Sequence, residues 1–177
     1  MGNSMKDTFI HQYESQVAHA PLPLQLADTY SISSIIKDTT DKKVYLLKDQ
    51  RNQPFILKCC SSMYAGALRQ EYDFLTHHTN MDCFPDAVTL FEESDMCFLL
   101  RDYIKGPLLG EHSEHLYAQY THFRDFENAL LPYMMECCQI ISILHHEKPP
   151  MIHRDIKPEN FVWEESSQML VLIDIDA

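Results

Sequence analysis

Glycine is scarce in this 177-residue chain: it occurs four times, and not once between positions 31 and 43. Backbone amides in a glycine-free stretch cannot approach a phosphate group as closely as bare backbone can. Basic residues are few as well, 14 against 26 acidic ones, giving a net charge of −12. That balance argues against nucleic acid or an anionic membrane as a main partner, because phosphate-rich surfaces select for basic patches. There is no run of 18 apolar residues and no signal peptide, so neither a membrane span nor export is indicated. Met1-Gly2 is not a myristoylation site, since Lys6 stands where serine or threonine is needed. The six cysteines (Cys59-Cys60, Cys83, Cys97, Cys137-Cys138) lack C-x-x-C zinc spacing and do not suit a small disulfide scaffold. They read as reduced, mostly buried thiols of a cytoplasmic protein, with Cys137 and Cys138 filling core space. Internal repeats and low-complexity tracts are absent.

What remains is an ordinary globular composition, 45% hydrophobic and 23% charged, long enough for one domain with a core. Residues 6–19 carry Phe9, Tyr13 and Val17 at a spacing of four, which predicts a short amphipathic helix ended by Pro21 and Pro23. Strands are expected around Tyr30–Ile36, Val44–Leu47 and Phe55–Cys60, divided by polar turns, as an antiparallel meander. A helix over about 64–78 follows, with Leu68, Tyr72 and Leu75 facing inward. Glu71 lies on that same stripe. A carboxylate facing a core needs a cation, and Lys58, on a strand with apolar neighbours, is the candidate. Two more strands are expected near 87–92 and 96–101, then a connector through Asp102, Tyr103 and Ile104. From 114 to 146 the periodicity is helical, with Asn128 as a cap and Pro132 in a first turn or at a kink. A strand pair at Phe161–Trp163 and Met169–Ile173 leads to Asp174-Ile175-Asp176.

Between that helix and the strand pair stands His153-Arg154-Asp155-Ile156-Lys157-Pro158-Glu159-Asn160. It offers an acid, a lysine two residues on and an amide three beyond that, in a loop stiffened by proline. Phosphoryl transfer needs such a set: a carboxylate to orient a hydroxyl, a cation for the migrating group and an oxygen ligand for Mg²⁺. Taken singly, Lys58, Glu71 and Asp174 would read as surface charges, because such residues are rarely buried. Their order and spacing are what single them out. The ten histidines include adjacent pairs unsuited to a helical zinc site. His112 and His115, with Glu111 and Glu114, form the one minor candidate for a metal cluster.

The string H-R-D-x-x-x-x-N is complete, and from residue 24 onward the order of elements resembles the protein-kinase family. The resemblance implies an α+β fold: a five-stranded antiparallel N-lobe sheet with one helix over 24–102, after an extension at 1–23. Residues 103–177 would be the hinge and the first part of a helical C-lobe. It implies that Lys58, oriented by Glu71, holds the ATP phosphates, and that Val44, Ile56 and Val162 enclose adenine. The backbone of Asp102, Tyr103 and Ile104 would read the adenine edge. Asp155 would orient the substrate hydroxyl, Lys157 neutralise the moving phosphoryl group, and Asn160 and Asp174 hold Mg²⁺. His153 and Arg154 resemble the structural half of the loop. Lys157, two after the aspartate, marks serine or threonine of a protein as the acceptor.

Three departures from the family pattern stand out. The phosphate-covering glycines are missing, with Lys42 or Lys43 as cations that could compensate. The metal motif reads Asp-Ile-Asp, with Asp176 in place of a glycine. No activation loop or peptide platform follows Ala177, so the kinase domain is expected to be incomplete as given. Two other readings stay open: a pseudokinase-like module that binds nucleotide or protein without transfer, and a small-molecule phosphotransferase, against which Lys157 speaks. Residues 133–144 are apolar almost all round, with Glu136, Gln139 and Ser142 as a single polar stripe. That pattern predicts a cover for the helix, from further chain, a partner or a second copy.

Overall fold

The computed structural model describes residues 22–175. The expected helix at 6–19 and the Asp176 of the Asp-Ile-Asp motif lie outside the described residues. The chain divides into two compact units. One comprises residues up to Tyr72 together with Ala87–Tyr103, the other Asp73–Asp86 together with residues from Ile104 onward.

The first unit is built on an antiparallel sheet. A single turn of helix, α1 (Leu24–Ala27), precedes β1 (Tyr30–Asp38), β2 (Lys42–Asp49) and β3 (Pro54–Ser61). Thr39 closes the β1–β2 turn: its hydroxyl donates to the Lys42 carbonyl at 2.7 Å and accepts from the Lys42 amide at 3.1 Å. At the β2–β3 turn Asn52 takes φ 62°, a conformation asparagine tolerates better than most residues. The Asp49 carboxylate there accepts from the amides of Arg51 and Gln53. A 3-10 turn at Ser62–Tyr64 leads into helix α2 (Gly66–His77). Strands β4 (Ala87–Glu93) and β5 (Met96–Asp102) then form a hairpin whose turn residues Ser94 and Asp95 both have positive φ, matching the strand twist. The strand order is β1-β2-β3-β5-β4, all neighbours antiparallel.

Strand alternation gives the sheet two apolar faces. On one, Leu47, Leu57 and Leu100 cluster with Leu26 and the rings of Tyr30, Tyr45, Phe55, Phe91 and Phe98. On the other, Cys60, Cys97 and Leu99 pack with Ala65 and Leu68, which come from the start of α2 and the residue before it. The five strands, the meander and the inward stripe of α2 are as expected from the sequence.

The second unit departs from expectation in its helices. The periodic stretch from 114 onward is two helices, α3 (Leu109–Tyr117) and α4 (Phe123–His146), broken at 118–122. Leu116, Tyr120 and Phe123 keep a spacing of three to four across the break, so the pattern looks continuous although the backbone turns. Glu111 caps α3 by accepting from the Leu108 amide at 3.0 Å. Asn128 caps nothing, because α4 begins five residues earlier, and Pro132 lies inside the helix instead of in its first turn.

The polar stripe of α4 also needs correction. Glu136 is half-buried and accepts from the Leu170 amide at 2.8 Å, so it anchors the strand pair β6 (Phe161–Glu164) and β7 (Met169–Leu172). Ile140, Ile141 and Leu144 are buried, while Leu131, Met134 and Met135 are exposed. Among the described residues the end of α4 is therefore covered and its beginning is open. Cys137 is buried and Cys138 exposed, so only the first fills core space. No disulfide links cysteines among the described residues. Within those residues, no helix is long and apolar enough to cross a membrane.

Candidate functional site

In the first unit the site is a row across the sheet. Val44 of β2 lies directly opposite Lys58 of β3, and Ile56 sits two residues along on the same face. Val44 and Ile56 are 9% and 5% exposed. Lys58 and Glu71 are buried at 2% and 0%. The Lys58 ammonium donates to both carboxylate oxygens of Glu71, at 2.6 and 2.8 Å. Taking two charges out of water costs several kcal/mol per ion, about as much as their attraction returns. Such a pair is therefore weak evidence for stability and better evidence that an ammonium is being fixed in one place.

Arg101 is a member the sequence reading missed. Its guanidinium is buried and its Nε lies 3.8 Å from Glu71 Oε1. The signal was there in strand parity: Arg101 alternates with Leu99 and Cys97, on the face that packs against α2. Asp102 closes β5 opposite Phe55, and Tyr103 follows, 37% exposed.

The β1–β2 hairpin separates the two lysines expected to compensate for the missing glycines. Lys42 is opposite Cys60, on the Lys58 face. Lys43 is opposite Cys59 on the other face and ion-pairs with Asp38 at 3.2 Å, so it does not share a face with Lys58. The Asp38 hydrogen bond also raises the Lys43 pKa from its ordinary value.

In the second unit the residues of the loop from His153 to Asn160 come together. The Lys157 ammonium donates to Asp155 Oδ2 at 2.6 Å. Asn160, buried, donates from its amide nitrogen to the Asp155 carbonyl at 2.7 Å and to Oδ2 at 3.4 Å. The Lys157 hydrogen bond holds the Asp155 carboxyl below the usual carboxylate range; Asn160 adds to this and the charge of Asp174 opposes it. Lys157 is raised in turn, chiefly by the same bond. Behind them His153 is 1% exposed and its Nδ1 accepts from the Asp155 amide at 3.3 Å. Between the two, Arg154 takes φ 61°, and the Asp155 amide reaches back to the His153 carbonyl at 2.8 Å. A non-glycine residue at such a φ stores strain that functional sites are known to hold.

Strand pairing places Asp174. The Ile173 amide donates to the Asn160 carbonyl at 2.9 Å, so the next residue, Asp174, emerges beside Asn160. With its nitrogen committed to Asp155, Asn160 has its amide oxygen left for a cation. Two oxygen donors of this kind suit Mg²⁺, which takes one or two protein carboxylates and completes its shell with water and phosphate. Among the described residues no group of three or more His, Cys, Asp or Glu could hold a metal. The His112–His115 cluster is therefore not formed. The His112 ring instead stacks on Trp163 and meets Tyr133 edge-on, and burial lowers its pKa. Val162, 3% exposed, lies in β6 and bridges to Leu108.

Among curated proteins the chain is similar to serine/threonine-protein kinase B of Synechocystis sp., 26% identical over 132 residues, or 74% of this chain and 21% of that protein. A probable serine/threonine-protein kinase of Dictyostelium discoideum is 26% identical over 147 residues, 76% of this chain and 40% of that protein. Serine/threonine-protein kinase cds1 of Schizosaccharomyces pombe is 24% identical over 161 residues, 89% of this chain and 32% of that protein. The chain thus spans less than half the length of these relatives. No family model matches it.

Proposed function

On the premise that the chain is a relative of the serine/threonine protein kinases, we propose that it is a protein-kinase-like domain that moves the γ-phosphoryl group of ATP to a serine or threonine hydroxyl. The first unit is the N-lobe part and the second begins the C-lobe. The observation that carries this reading is the buried Lys58–Glu71 pair, which fixes an ammonium on the sheet face. A lysine so held is suited to the α- and β-phosphates of a nucleotide. Val44 and Ile56 on the same face offer apolar surface for adenine, and the backbone of Asp102 and Tyr103 supplies polar partners.

In this reading Asp155 accepts a hydrogen bond from the substrate hydroxyl and directs its oxygen at the γ-phosphorus. The oxygen–phosphorus bond forms as the bond to the β-phosphate oxygen breaks, ADP leaves, and the hydroxyl proton passes to Asp155. A carboxyl held ionised by Lys157 is an orienting acceptor more than a strong base. Lys157, already beside Asp155, neutralises charge on the moving group. Asn160 and Asp174 would hold Mg²⁺, which when bound screens the phosphate charges. The buried free thiols of Cys59, Cys60, Cys97 and Cys137 suit a reducing, cytoplasmic setting.

One observation favours a second reading, a binding module without transfer: the hairpin over residues 38–43 has no glycine and is stapled by Thr39. Asp155→Asn separates the two. It is expected to abolish phosphoryl transfer from labelled ATP to serine or threonine while leaving the Mg²⁺-ATP-dependent rise in melting temperature nearly intact. Saturation at 100 times Kd corresponds to about 2.7 kcal/mol. Lys58→Ala should remove that rise. Equal background labelling by wild type and Asp155→Asn, with ATP still bound, would establish the binding module instead.

A further inference from the structure

The β1–β2 hairpin carries a device that the strand pattern alone conceals. Directly opposed residues in antiparallel strands share a face. Ile35 is opposite Tyr45, on the face away from Lys58, and regular alternation would put Lys37 there too. A register shift between Ile35 and Lys37 makes Ile36 an extra residue and sets Lys37 opposite Val44. Val44 is opposite Lys58 in turn. A bulge of this kind re-aims the side chain that follows it. Lys37, Val44 and Lys58 thereby form one row across three strands, and Lys42, opposite Cys60, stands next to it on the same face.

Counted back from Val44, the spacing G-x-G-x-x-G-x-V puts Lys37, Thr39 and Lys42 at the three glycine positions. Two of the three are lysines brought to the Lys58 face, and the third locks the turn between them. Lys37 is exposed, and among the described residues its ammonium has no hydrogen-bond or ion-pair partner. Lys43, the remaining lysine of the hairpin, is turned away and held by Asp38.

We propose that Lys37, with Lys42 beside it, contacts the phosphate chain of a bound nucleotide in place of the backbone amides that glycines would expose. This rests on the nucleotide reading above and deepens it: the phosphates are held on this hairpin by side-chain charge. A rigid hairpin with ammonium tips needs no close backbone approach, since a lysine reaches a phosphate as a flexible point charge. The binding should therefore discriminate by phosphate number and weaken with salt.

The test is isothermal titration calorimetry of the 177-residue chain with Mg²⁺-ATP, ADP and adenosine. Lys37→Gln is expected to weaken ATP binding by about tenfold or more, the size of one hydrogen bond to a charged group, and to leave adenosine binding unchanged. Lys37→Arg should retain ATP affinity, and Lys43→Gln should match wild type for all three ligands. Unaltered ATP affinity in Lys37→Gln, while the wild type binds ATP, overturns the proposal and leaves the nucleotide reading standing. Equal losses for ATP and adenosine overturn it too, as the mark of a structural role. A folded wild type that takes up no ATP refutes the nucleotide reading itself, and the proposal with it.

Discussion

Removing Glu71 should damage the fold more than removing Lys58. Both side chains are buried, Glu71 completely, and the Lys58 ammonium lies 2.6 Å from one of its oxygens. Arg101 Nε lies 3.8 Å from that same oxygen. Glu71→Ala therefore leaves two cations facing a space without the carboxylate between them. Breaking a buried pair by deleting one partner costs about 3–5 kcal/mol, and the second cation places this case at the upper end. Lys58→Met is milder, because Glu71 keeps the Arg101 guanidinium and the methionine fills the same volume. Total stability of a domain is about 5–15 kcal/mol, so Glu71→Ala should bring the first unit close to unfolding. The double variant Lys58→Met/Glu71→Leu should recover much of the loss, since an apolar replacement of a buried pair is often neutral. Urea unfolding followed by far-ultraviolet circular dichroism gives the ranking. Hydrogen exchange of the β3 and β5 amides then locates the effect in the first unit. The reasoning fails if Lys58→Met is the more destabilising single change, or if the double variant is as unstable as Glu71→Ala.

Other consequences are as direct. A Cβ at Gly106 would overlap the carbonyl oxygen of Trp163 and lie 2.9 Å from its carbonyl carbon. Gly106→Ala should thus cost roughly 1–3 kcal/mol through overpacking, read as a lower melting temperature; an unchanged melt would disprove the close approach. Along α4, Leu144→Ala should cost about 2–5 kcal/mol and Leu131→Ala well under 1, because the first is 0% and the second 56% exposed. Comparable losses at both sites would mean that the beginning of α4 is covered as well. Burial pushes the thiols of Cys59 and Cys137 up to about 11. A raised folded-state pKa gives stability that is full below the unfolded thiol value of about 8.5 and is lost as pH rises through the folded one. Denaturation midpoints should accordingly decline between those pH values, less so in Cys59→Ala/Cys137→Ala. At pH 8 iodoacetamide should label exposed Cys138 before Cys137, as peptide mass spectrometry would reveal; labelling of Cys137 first would contradict the burial.

Much of this protein was legible from residue order alone, wherever the determining physics is local. Alternating apolar residues bounded by polar turns are enough to place β1 to β5. A glutamate on the inward stripe of α2 demands a cation, and Lys58 donates to both of its oxygens. The loop from His153 to Asn160 is a continuous string whose residues reach one another through its own turns, so the bonds among Asp155, Lys157 and Asn160 follow from their spacing. Tertiary structure decided the rest. The break between α3 and α4 is invisible because Leu116, Tyr120 and Phe123 preserve the helical spacing across it. Glu136 belongs to the apparent polar stripe but turns inward, because the β7 amide of Leu170 needs an acceptor and nothing near Glu136 in sequence says so. Arg101 and Lys37 join the Lys58 face through strand pairing, in one case by simple parity and in the other by a bulge. A one-residue register shift moves a side chain to the opposite face. Register is set by the partner strand, and no stretch of sequence carries its own partner.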